Sequence, residues 1–144
     1  MKKKPIKYAA PKSTSLGQIL QEPEIAYEVD TSRFSCQGFA DLSSTLGFSQ
    51  AEWASILHIS DRTLQRYLKE EKAFTGLQAE LLHYLRKLTS TGLQLFKDEG
   101  SFVKWLRAPK SVLGQTLDFQ SLQSITGIRL LQQELGRMAY GVYI

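Results

Sequence analysis

A single cysteine, Cys36, stands in 144 residues, so an internal disulfide and any zinc site built on thiolates are excluded. Histidine is nearly as scarce. His58 and His83 lie far apart with no carboxylate cluster beside either, and the spacings of a metal site are missing. No nucleophile is paired with a base in a pattern that chemistry would use, so neither an enzyme nor a cofactor is expected. Apolar runs are only a few residues long, too short to cross a bilayer. The Lys-rich start runs into Pro5 and Pro11 without the apolar stretch of an export signal. The expectation is a cytoplasmic protein with no membrane partner. Cys36 itself falls in an apolar helical pattern, as a buried thiol would.

What is present is an ordinary globular composition, with 42% hydrophobic and 22% charged residues. The formal charge of +4 is unevenly spread. Lys2, Lys3, Lys4, Lys7 and Lys12 face no acid within the first fifteen residues, which leaves thirteen basic against fourteen acidic residues in the remainder. The basic stretch is therefore a tail, and DNA binding by the rest would depend on where its charges lie. Residues 1–30 read as a flexible basic segment that solubilises the chain or adds salt-sensitive phosphate affinity. Within it, Leu16 to Leu20 fit a short helix or partner-binding segment ended by Pro23.

From Phe34 to Leu46, Phe39, Leu42 and Leu46 recur at helical spacing, and Gly47 caps the end. Ser49 with Glu52 three residues later forms a capping box for the next helix. The stretch Phe48 to Lys72 then reads as two short helices with a bend at His58-Ile59-Ser60. Trp53, Ala54, Leu57, Ile59, Leu64, Tyr67 and Leu68 suit one small core shared at an angle. Ser60 is placed to cap the second helix, and Asp61 follows where negative charge suits the dipole. Arg62, Thr63, Gln65, Arg66 and Lys69 then point outward. Forked Arg and Gln donors match base edges in the major groove, while Lys and Thr suit phosphates. An ordinary helix pair with a solvated charged face fits the same pattern.

Thr75 is expected to cap the longest helix, whose stripe is Leu77, Leu81, Leu85, Leu88, Leu95 and Phe96, widened by Leu82 and Tyr84. Gly92 marks a bend or a close helix contact. A helix over about Ser101 to Arg107 follows, then a break at Pro109 and a loop carrying Gly114. Trp105 and Leu106 are expected to anchor this part beside Leu113 and Leu122. In the last helix Ile128, Leu131, Leu135 and Met138 share a stripe, with Arg129 and Arg137 off it. Val142, Tyr143 and Ile144 follow Gly141 and call for burial, against their own domain or against a partner.

The Phe48–Lys72 stretch resembles the helix-turn-helix of phage-repressor-like, Xre-type regulators: Gln50 opens the first helix, Ala54 is the small packing residue, and His58 stands where Gly is usual. Phe96, Trp105-Leu106, Pro109, Leu113-Gly114, Leu122, Gly127, Leu135-Gly136-Arg137 and Gly141-Val142 together resemble the toxin-binding domain of the Xre/MbcA/ParS antitoxins. The likeness spans roughly residues 36 to 144 and departs at Lys110, Gln115 and Phe119, where Asn, Gly and Pro are usual. It implies an all-α chain with an Xre-like helix-turn-helix domain over 31–88 and a helical toxin-binding domain over 89–144. It further implies the antitoxin of a type II toxin–antitoxin system that acts as a homodimer, its partners a RES-domain, NAD-degrading toxin and operator DNA. Arg62, Thr63, Gln65, Arg66 and Lys69 are the expected DNA contacts. Arg129, Arg137, Tyr140, Gly141, Val142, Tyr143 and Ile144 are the expected toxin contacts, the chain end covering the NAD pocket. Three alternatives stay open: a stand-alone regulator whose C-terminal half dimerises, an adaptor that has lost DNA binding, and a chain end that caps its own domain.

Overall fold

In the N-terminal half the helix boundaries follow side-chain capping. The computed structural model describes residues 32–141. After a short strand β1 (Arg33–Phe34), helix α1 (Cys36–Leu46) starts at Ser35, whose hydroxyl accepts from the Gly38 N–H, and stops at Gly47 in the left-handed region. Helix α2 (Gln50–Leu57) starts with the full capping box: Ser49 accepts from the Glu52 N–H, and Glu52 accepts from the Ser49 N–H. Helix α3 (Asp61–Glu70) starts at Ser60 and ends at Glu71, which has φ 53. Strand β2 (Phe74–Thr75) pairs antiparallel with β1, setting Phe34 opposite Phe74. Thr75 makes no capping bond, so the expected cap is replaced by strand pairing.

The long helix α4 (Gly76–Leu95) carries the core across both halves of the described residues. It is followed by α5 (Glu99–Arg107), a hairpin of β3 (Lys110–Val112) and β4 (Gln115–Leu117), a 3₁₀ helix (Phe119–Gln123) and α6 (Ile125–Ala139). The fold is all-α, with small strands only. One contiguous cluster joins Phe39, Trp53 and Leu64 to Leu85, Leu106 and Leu131. Position 88, the boundary expected between two domains, falls inside α4, and Leu88 is fully buried in that cluster.

Of the two readings of Gly92, a bend or a close helix contact, the structure shows the close contact. The Phe102 ring of α5 lies where a Cβ at residue 92 would be, so only glycine lets the two helices meet. The stripe itself needs correcting at its ends, because Leu77 and Leu95 are exposed. The loop expected around Gly114 is a two-residue hairpin, since Val112 and Gln115 pair directly. Trp105 is half-buried against Phe96 and Phe102. Leu113, expected beside it, is instead 75% exposed at the hairpin tip. Cys36 is also only half-buried.

Candidate DNA-reading helix and exposed chain end

Helix α3 buries Leu64 completely and leans Tyr67 on Phe74, ring centroids 5.3 Å apart. With the helix pinned on that side, the opposite side is set. At about 100° per residue, Arg62, Gln65, Arg66 and Lys69 fall within about 100° of arc, and all four are exposed. Among the described residues none of these four forms an ion pair, so their donors are available. Thr63, expected on the same face, is half-buried, and its hydroxyl accepts from Ser60 at 2.9 Å as part of the cap. Asp61 sits at the helix start, one turn before Gln65.

The angle between α2 and α3 is set at His58, which adopts φ 60 and ψ 39. A residue with a Cβ is strained there, and the structure provides a reason for histidine. His58 Nε2 donates to the Gln123 carbonyl at 2.6 Å, and Gln123 Nε2 donates to Ser55 Oγ at 2.6 Å. The bend is thereby fastened to the 3₁₀ helix. A second tie joins the start of α2 to the end of α5. The Arg107 guanidinium donates to both Glu52 carboxylate oxygens at 2.8 Å and lies over the rings of Phe48 and Phe119. These bonds from Arg107, helped by those from Ser49, hold the Glu52 carboxyl at about 2, well below its usual 4.5, against the opposing effect of burial. Arg107 is raised by the same pair. Gln78 adds a third tie, donating to the Leu57 carbonyl at the end of α2. Sequence periodicity has no means of finding these partners, which lie 21 to 68 residues apart.

The residues expected to meet a toxin are dispersed. Arg129 is exposed on α6 and lines a groove of about 220 Å³ with Tyr84, Lys87, Ile128, Gln132 and Gln133. Arg137 is already paired within its own helix: its Nη2 donates to Glu134 at 2.7 Å, and Glu134 is buried. The guanidinium expected to meet a toxin is thus already engaged within the chain. Tyr140 is 87% exposed and Gly141 takes φ 69, turning the chain out of the helix. Val142, Tyr143 and Ile144 lie outside the described residues. Among the described residues no helix is long and apolar enough to cross a membrane, and no group of three or more His, Cys, Asp or Glu could hold a metal ion.

A capped helix pair with an exposed, unpaired donor face is the geometry of a helix-turn-helix DNA-binding protein. Residues 26–87 match the family model of the antitoxin Xre-like helix-turn-helix domain. The match supports a DNA-binding antitoxin or regulator of the Xre type. No curated protein matches the chain.

Proposed function

We propose that this chain is the antitoxin of a type II toxin–antitoxin system that neutralises a RES-type, NAD-degrading toxin and represses its own operon as a homodimer. The observation that carries the reading is the free donor face of α3 within a domain that matches the antitoxin family model. Arg62 and Gln65 enter the major groove near the start of α3, where a recognition helix makes its base contacts. Arg66 and Lys69 reach base edges or flanking phosphates. Twofold symmetry would place two copies of α3 about one helical turn of DNA apart. On the other side of the protein's work, the chain end beyond Tyr140 supplies apolar surface and an aromatic hydroxyl suited to a mostly apolar pocket with a few polar groups. The antitoxin contributes no catalysis of its own; it covers the toxin's pocket.

Two variants separate the two activities. Arg62→Ala with Arg66→Ala is expected to weaken promoter binding by about 1–3 kcal/mol for each base interaction removed, while inhibition of NAD consumption by the toxin is unchanged. A chain ended after Tyr140 is expected to do the reverse. Unchanged promoter binding by the double variant in a mobility-shift titration, or full inhibition by the shortened chain, would refute the corresponding half of the reading.

A further inference from the structure

The β3–β4 hairpin holds a contradiction that the isolated chain does not resolve. Its two-residue turn, Leu113-Gly114, has positive φ at both positions, 51° and 82°. That is the pattern of a type I′ turn, in which Asn or Asp normally precedes Gly because their side chains tolerate the left-handed conformation. Leucine does not, and its strain is compounded by exposure: Leu113 is 75% accessible, the most exposed large aliphatic side chain among the described residues. The tip stands clear of the fold, since a Cβ built on Gly114 would meet nothing within 4 Å. The hairpin's other apolar residues behave differently. Val112 and Leu117 are buried in the core, so the strands are seated firmly and the tip is presented rather than loose. An exposed residue that is both strained and apolar has no folding rationale, and such positions cluster where a partner binds.

The surroundings indicate which partner. At the hairpin's base, Lys110 donates to the Ala108 carbonyl and lies 4.4 Å over the Trp105 ring. There the charges of Asp118 and Glu134 act on it, opposing the downward pull of burial on its pKa. Glu134 lies in the second half of α6, six residues before Tyr140, so the base of the hairpin is within electrostatic reach of the helix that leads to Tyr140. From that shared base the tip is about 10 Å away along the strand, and Tyr140 about 9 Å along the helix. One protein covering about 800 Å² would span both.

We propose that Leu113 is an apolar anchor that inserts into a hydrophobic pocket of the protein engaged by the end of α6. This rests on the reading of that partner as the toxin. The strained turn holds the side chain outward in the free protein, so little ordering is required when the partner arrives.

The test uses the full chain, the toxin encoded by the adjacent gene, and two variants. Leu113→Asn installs the residue that this turn favours and is expected to melt at or above the wild-type temperature. It is also expected to bind the toxin at least tenfold more weakly by calorimetry or surface plasmon resonance. Leu113→Met keeps an apolar side chain and is expected to bind within about threefold of wild type, since like-sized apolar swaps perturb little. Wild-type affinity in Leu113→Asn overturns the anchor, as does a melting temperature below wild type, which would make Leu113 structural. If Leu113→Asn disrupts a wild-type dimer and leaves toxin affinity intact, the tip serves self-association and the proposal fails. If the wild-type chain itself does not bind the toxin, the antitoxin reading fails first, and the anchor with it.

Discussion

Replacing Arg107 with alanine removes the tie between the first helix of the DNA-binding motif and the C-terminal half. That tie has two parts, an ion pair and ring stacking. Lowering the Glu52 carboxyl from 4.5 to about 2 corresponds to roughly 3.4 kcal/mol at about 1.36 kcal/mol per unit, a part of which comes from the Ser49 hydrogen bonds that Arg107→Ala leaves in place. The Arg107 side chain is 40% exposed and that of Glu52 30%, so solvent screening reduces the Arg107 share to about 1 kcal/mol. The guanidinium also lies 5.3 Å from the centre of the Phe48 ring and 4.7 Å from that of Phe119, which adds about 0.5 kcal/mol for each ring. Arg107→Ala should therefore destabilise the fold by about 2 kcal/mol at neutral pH, a large share of typical domain stability.

The pH dependence separates the two parts. Glu52 has a carboxyl pKa depressed by folding, so its contribution is complete above the ordinary value of 4.5 and is lost as the pH falls through about 2. Roughly half of the ion-pair part should be gone by pH 3, whereas the stacking part does not titrate. The assay is urea denaturation of wild type and variant at pH 7 and pH 3, compared as a difference so that other carboxylates cancel. A difference below about 0.5 kcal/mol at pH 7, or one equal at both pH values, would refute the reasoning, the exposed-pair range being about that small.

At the bend, His58→Ala should cost about 1–2 kcal/mol, because it keeps the strained backbone and loses the bond to the Gln123 carbonyl. His58→Gly relieves the strain as it removes the bond and should melt within a few degrees of wild type; equal melting of the two variants would show that the left-handed backbone at residue 58 carries no strain. Gly92→Ala should destabilise by about 1–3 kcal/mol, since the added methyl overlaps the Phe102 ring. An unchanged thermal midpoint would mean that α4 and α5 can separate freely. Gly127→Ala meets the Ser121 backbone carbonyl, which cannot rotate away as a ring can. It should be the more damaging of the two by the same melt, and a milder effect would contradict the packing of α6 on the 3₁₀ helix.

Local chemistry alone determined much of this protein. The caps at Ser49 and Ser60, the stop at Gly47, the place of the bend at His58 and the outward donors of α3 each depend on a few neighbouring residues. Helix periodicity and capping act within one or two turns, so a linear reading captures them. The all-α class is legible for the same reason, as are most residues of the core, while the sequence left Gly92 as either a bend or a close contact. Tertiary structure decided the rest. The hairpin is hidden in the sequence because its turn carries Leu-Gly in place of Asn-Gly, the usual short-range signal. Leu113 reads as an interior residue because hydrophobicity says that a side chain favours burial, not that the chain can deliver it there. The i, i+3 pairing of Arg137 with Glu134 is a local helical contact, but the burial of Glu134 follows only once α6 has packed. The ties of Arg107 to Glu52 and of His58 and Ser55 to Gln123 exist only because α4 brings the two halves of the sequence onto one core. No local pattern encodes which donor meets which carbonyl 65 residues away.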